Sequence, residues 1–179
     1  MTRASTSESK HLILLRHAKS SRSDSELDDR ERPLSERGER DAPRMGVRLK
    51  DRHARPELLI TSPAKRALRT AKAVARMLAY PLQRLAIEER LYLAPPERIR
   101  DVIAAQDDRL TSLLVVGHNP GLTELVNRLL PDLRLDNLPT GGVVAIDFAA
   151  RRWADLGATV CRLAYYDYPK NTELFVTKN

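Results

Sequence analysis

The chain has 179 residues, 42% hydrophobic and 31% charged. That suits one domain with a real core and is too polar for a membrane bundle. Its longest apolar runs, such as Leu12–Leu15 and Leu113–Val116, fall far short of the ~20 residues that a membrane-spanning helix needs. The formal net charge of +7 comes from lysines and arginines scattered among acids, as in DDRERPLSERGERD. Charge alone therefore leaves open a nucleic-acid partner, an anionic substrate or a merely basic surface.

Residues 1–10, MTRASTSESK, hold no apolar signal-peptide segment and read as a disordered tail, with residues 11–179 as one domain. HLILLR, residues 11–16, reads as a buried strand that ends on Arg16-His17, and residues 22–34 as a charge-mixed loop. Residues 35–52 carry helical periodicity, with Ser35 as N-cap and Pro43 expected to kink or split the helix. Leu58–Thr61 reads as a short buried strand, followed by a helix from Pro63 to about Leu78. A weaker strand at Leu85–Ile87 precedes a helix over residues 96–106. Leu113–Val116 is again strand, and Pro120–Leu130 helix. The last third turns to strands at Val143–Phe148 and Ala158–Tyr165, joined by a charged turn around Arg151-Arg152. Apolar strands interleaved with helices imply an α/β fold, a largely parallel sheet covered on both faces.

The single cysteine, Cys161, excludes an intramolecular disulfide and points to a reducing, cytoplasmic setting. In the alternating segment GATVCRLAYY it reads as a small hydrophobe rather than a reactive thiol. Trp153, Tyr165, Tyr166 and Tyr168 read as packing groups rather than a base-stacking platform. His11 opens a strand and His53 closes a helix; neither has metal-ligand spacing, and no metal or cofactor is expected.

Ligands of open α/β sheets bind beyond the carboxyl ends of the strands. The first strand ends at Arg16-His17. The second runs into TSPAKR, which puts Arg66 in the first turns of a helix, and SLLVVGHNPG puts His118 at a strand-to-helix junction. Ser62-Pro63 and Asn119-Pro120 each pair an N-cap with proline at the first helical position, so both helix starts would aim amides at the same edge. Two arginines, two histidines and two helix N-termini together suit a dianion such as phosphate.

In this order, LLRHAKS, RPLSERG, SPAKRALRTA, VVGHNPGL and LPTGGVVAIDF resemble the histidine phosphatase superfamily, and within it the short phosphohistidine phosphatases of the SixA type. The resemblance covers residues 11–165 and implies a phosphoglycerate-mutase-like three-layer α/β/α sandwich. It also implies that His17 is the nucleophile, with Arg16, Arg66 and His118 around the phosphoryl oxygens. The family motif Arg-His-Gly reads Arg16-His17-Ala18 here. Ser23 falls where many members carry an asparagine on the phosphate, and so is assigned a supporting phosphate contact. Lys19 and Thr140 read as solvated lysine and turn residue.

The wider family has a proton-donating carboxylate after the third strand. Glu88 and Glu89 lie there, and Glu89 is the choice, opposite the plain reading of a solvated acid. A departing imidazole needs less acid help than an alkoxide, so Glu89→Gln should slow ester hydrolysis more than phosphohistidine hydrolysis. The leading reading is a phosphatase for phosphohistidine in proteins. The alternatives are a phosphatase for small phosphate esters using the same His17, and a non-catalytic basic module for phosphorylated or nucleic-acid ligands.

Overall fold

The computed structural model describes residues 9–172. Helices and strands alternate along them: β1 (Ser9–Arg16), α1 (Glu36–Asp51), β2 (Leu58–Thr61), α2 (Lys65–Met77), β3 (Ala86–Ile87), α3 (Pro96–Ala104), β4 (Ser112–Gly117), α4 (Gly121–Leu129), β5 (Val143–Ala149) and β6 (Cys161–Asp167). The sheet order is β3-β2-β4-β1-β5-β6. The pairs β3–β2, β2–β4 and β4–β1 are parallel; β1–β5 and β5–β6 are antiparallel.

The central strands are apolar without alternation because both faces of the sheet are covered. Leu12, Leu14, Leu113 and Val115 pack on one face against Ile99 and Val102 of α3 and Leu122 and Leu125 of α4. Ile13, Leu15, Leu114 and Val116 pack on the other against Met45 and Leu49 of α1 and Ala67, Ala71 and Val74 of α2. Successive side chains of a strand point to opposite faces, so these two clusters are the two interfaces of the expected three-layer sandwich.

Ser35 caps α1 as expected, its Oγ accepting from the Gly38 N–H at 3.1 Å. Pro43, expected to kink or split this helix, instead lies inside one uninterrupted element. One lost backbone hydrogen bond is outweighed by the buried stripe Ala42, Met45, Gly46 and Leu49. At Gly46 an added Cβ would lie 2.8 Å from the Met77 Cβ, so a side chain there would force α1 and α2 apart.

Four expectations need correction. Residues 1–8 of the expected tail lie outside the described residues, but Ser9 and Lys10 are already strand, paired with Ala149 and Phe148. Lys10 is held there because its Nζ donates to the carbonyls of Asp108 and Leu110 at 2.6 and 2.7 Å. Helices α2 and α4 begin at Lys65 and Gly121, capped by Ala64 and Pro120 with no side-chain hydrogen bond. Ser62 Oγ still accepts from the Ala64 N–H at 3.3 Å, in the turn that leads into α2, while the Asn119 amide is drawn to partners across the strand ends, described below. The last strand starts at Cys161 rather than Ala158, because a turn closed by the Ala158 N–H on the Asp155 carbonyl, with Gly157 at φ 83°, takes up the intervening residues. Cys161 is a half-buried thiol whose pKa burial raises, as befits a packing residue. No helix among the described residues is long and apolar enough to cross a membrane.

Candidate active site

Strands β1, β2 and β4 end side by side. Arg16 pairs with Gly117, and Thr61 with Val116, so His17, Ser62 and His118 each leave the sheet at the same edge. Arg66 comes from the first turn of α2. Around these residues lies a cleft of about 470 Å³ lined by Arg16, His17, Arg66 and His118 together with Lys19, Ser20, Ser21, Arg22, Arg32, Ser35, Leu93, Asn119 and Thr140.

The hydrogen bonds fix both imidazole tautomers. His17 is 7% exposed, and its Nδ1 lies 2.7 Å from the Ala18 carbonyl. A carbonyl only accepts, so Nδ1 carries the proton and Nε2 keeps its lone pair. Arg66 Nε donates to that Nε2 at 3.3 Å. His118 is the mirror case. Its Nδ1 faces the donor Arg66 Nη2 at 3.4 Å, so its Nε2–H donates to Ser62 Oγ at 2.6 Å. The two rings stand 5.2 Å apart.

Electrostatics agree with neutral imidazoles. Burial, only partly opposed by the Ala18 hydrogen bond and reinforced by His118, Arg66 and Arg16, pushes His17 down to about 3. Burial and then the Arg66 charge push His118 to about 4. Arg16 is lowered by burial and by Arg66. Its Nη1 donates to the Leu138 carbonyl at 2.8 Å and Asn137 Oδ1 at 3.3 Å, while its Nε is buried with no partner. Asn119 Nδ2 holds the same two acceptors at 3.0 and 2.8 Å. Neutral nucleophilic nitrogen beside two fixed guanidinium groups is an arrangement that can receive a tetrahedral dianion.

The four residues Arg16, His17, Arg66 and His118 thus come together. Ala18, which replaces the family's glycine, is fully buried beside Leu34 and Ala42 and is not among the residues with positive φ, so a methyl group is accommodated. Ser23 is exposed, its Oγ bonded to Ser21 Oγ at 2.8 Å; Ser20 and Ser21 reach the cleft and Ser23 does not. Glu89 is not brought to the cleft either. Its side chain is 67% exposed, and both its oxygens accept from Arg30 Nη2, at 2.7 and 2.8 Å. Two residues escaped the sequence reading. Asp29 accepts from Arg66 Nη1 through its carbonyl at 2.6 Å and from Nη2 through Oδ2 at 2.9 Å, and Tyr92 donates to the same Oδ2 at 2.8 Å. Nothing in the sequence sets Asp29 apart from Asp24, Glu26, Asp28 and Glu31 in its loop.

A mostly parallel α/β sheet that gathers two arginines and two neutral histidines at its carboxyl edge defines a phosphatase-type hydrolase. The chain belongs to the histidine phosphatase superfamily (branch 1), whose family model matches residues 12–92. It is 30% identical over 165 residues to an uncharacterised protein of Mycobacterium tuberculosis, covering 87% of this chain and 100% of that one. It is 32% identical over 139 residues to an uncharacterised chloroplastic protein of Arabidopsis thaliana, covering 70% of this chain and 61% of the plant protein. Among solved structures it is similar to the SixA protein of Agrobacterium tumefaciens, assigned as a phosphohistidine phosphatase, with TM-score 0.77, 27% identity, and coverage of 89% and 98% of the two chains. The fold also matches that of a protein histidine phosphatase SixA complexed with tungstate, at TM-score 0.77, 21% identity, and coverage of 91% and 99%.

Proposed function

We propose that this phosphatase removes the phosphoryl group from phosphohistidine in proteins, through a covalent phosphoryl intermediate on His17 Nε2. The observation that carries the reading is the lining of the cleft: among the described residues it is made of cations, hydroxyls, imidazoles, the Asn119 amide and Leu93, with no carboxylate. An alkoxide leaving group requires a proton as the P–O bond breaks. The second ring nitrogen of phosphohistidine is basic enough to take a proton from solvent before the P–N bond breaks, and the group then departs as neutral imidazole without an acid from the protein. A site without a carboxylic acid therefore suits the phosphoramidate. The likeness to the Agrobacterium SixA protein supports the same substrate class.

In the first step His17 Nε2 forms a bond to phosphorus while the P–N bond of the ring-protonated substrate breaks in line and releases neutral imidazole, and the His17 proton stays on Nδ1, hydrogen-bonded to the Ala18 carbonyl. Water then attacks phosphorus as the Nε2–P bond breaks, its protons leaving with the phosphate and the lone pair returning to Nε2. Arg16 and Arg66 hold the equatorial oxygens, and His118, kept in one tautomer by Ser62, fills the third side. We place the enzyme in a reducing compartment such as the cytoplasm, in keeping with its lone cysteine.

Rapid-quench labelling with a radiolabelled phosphohistidine protein tests the reading. An acid-labile, base-stable label should appear transiently on the wild type and be absent from His17→Ala, whose turnover should drop by at least about a thousandfold. Hydrolysis of small esters alone, with the phosphoprotein untouched, would move the substrate to small phosphate esters. Turnover that survives the loss of His17 would remove His17 from the mechanism.

A further inference from the structure

Arg66 is a nearly buried guanidinium, 3% exposed, with Arg16 and two histidines as its neighbours. Left to itself such a group has every reason to turn toward solvent or away from a second cation. Both of its terminal nitrogens are instead tied to one residue, Asp29, through a carbonyl and a carboxylate oxygen at 2.6 and 2.9 Å. The carboxylate is itself held from three directions: Arg66 and Tyr92 on Oδ2, and Arg32 on Oδ1 at 2.9 Å. The Tyr92 ring in turn meets the His118 ring edge-on at 5.7 Å.

A second pair closes the same seam. Arg30 chelates Glu89 and lies 5.7 Å over the Tyr92 ring, so the loop around Asp29 and the segment after β3 are fastened at two adjacent points. We infer that Asp29 is a positioning residue for this site: held by Tyr92, it locks the Arg66 guanidinium so that Nε is directed at the His17 nucleophilic nitrogen. This rests on the proposed role of Arg66 in holding the phosphoryl group. It also gives the charged loop before α1 a task, since that loop delivers Asp29.

Asp29 is not a proton donor in this scheme. Desolvation raises its pKa, but the hydrogen bonds from Tyr92 and Arg66 outweigh that and hold it at about 2, fully ionised in the working range. Its negative charge instead offsets part of the Arg66 charge. The lock therefore favours orientation at the expense of raw anion affinity, and the two can be separated by experiment.

In Asp29→Asn, kcat on a phosphohistidine peptide should fall roughly 10- to 100-fold. Inhibition by inorganic phosphate should stay level or tighten, because Arg66 is left with its full charge. Tyr92→Phe, which keeps the ring and loses only one hydrogen bond, should lower kcat about two- to fivefold in the same pattern. In the background of Arg66→Ala, Asp29→Asn should cost nothing further, because residues acting as a unit are non-additive. Full activity in both single variants, an additive loss in the double variant, or a loss confined to ester substrates would each overturn the inference. So would a parallel weakening of kcat and phosphate inhibition in both single variants, which is what loosened folding produces. If Arg66→Ala itself were harmless, the reading of the cleft would fall first, and the lock with it.

Discussion

Strand β1 carries a cation at each end, Lys10 buried and Arg16 half-buried, and the two are satisfied in opposite ways. At its start, Lys10 is 1% exposed, donates to two carbonyls at 2.6 and 2.7 Å, and lies 5.2 Å from the centre of the Trp153 ring. Trp153 donates to the Leu110 carbonyl at 3.0 Å and to Asp108 Oδ1 through its amide at 2.8 Å, so the whole corner is closed by acceptors. At the other end Arg16 has two acceptors for one terminal nitrogen, a buried Nε with no partner, and a second arginine nearby. A buried cation ringed by acceptors fastens a fold. A half-buried cation with one unpartnered donor and a second cation beside it stores unfavourable electrostatics, which an anion relieves. The contrast separates structural charge from functional charge without reference to any relative.

Exchanging the two residues' fates is the sharpest way to break that comparison. Arg16→Ala should reduce kcat/KM about a hundredfold or more, the usual loss for one well-aligned donor to a charged transition state, while the melting temperature changes little. Lys10→Met should do the reverse. Two carbonyls lose a charged donor, costing about 2–4 kcal/mol, while kcat/KM stays within twofold. Paired denaturant melts and initial rates on both variants decide it. A Lys10 variant that melts normally but fails to turn over would place both ends of the strand in the catalytic machinery.

How much of this was legible in the sequence follows from range. The strand cores were, because runs such as LLVV and LILL can only be buried on both faces. The four central site residues were, because a strand's end fixes where the next side chain goes. Helix starts were misread at Ser62-Pro63 and Asn119-Pro120: the serine hydroxyl accepts from the Ala64 N–H in the turn before α2 and is shared with His118, and the Asn137–Leu138 segment took the asparagine amide. Asp29 was invisible for the same reason, since its partners Arg66 and Tyr92 lie 37 and 63 residues away. Pro43 shows the converse: a strong local signal for a kink, overridden by a buried helix face.

The two ends also differ in how they respond to acid. His17 and His118 bind protons in the unfolded chain with an ordinary pKa of 6.5, but in the folded protein only near 3 and 4. Between those values the unfolded state holds more protons, so their contribution to stability is present above pH ~6.5 and is lost as pH falls toward ~3. Each histidine can add up to about 1.4 kcal/mol per pH unit to that slope. Urea midpoints measured from pH 7 to pH 4 should therefore fall, and His17→Asn should flatten the slope measurably. Lys10→Met should lower the whole curve without changing its shape. An unchanged slope in the His17 variant would mean that His17 is not buried neutral.

Glu89→Gln should have the smallest effect of all. Its carboxylate is chelated by Arg30, with side chains 67% and 42% exposed, and exposed ion pairs of this kind contribute little because solvent screens them. Loosening one of the two fastenings between the Asp29 loop and the segment after β3 should slow turnover no more than about twofold, equally for a phosphohistidine peptide and an aryl phosphate. Equality is the informative part. A tenfold loss on the ester alone would require Glu89 to leave Arg30 and reach the leaving group during turnover. The family-based expectation of a proton donor would then be right, and the carboxylate-free lining would describe only the resting cleft.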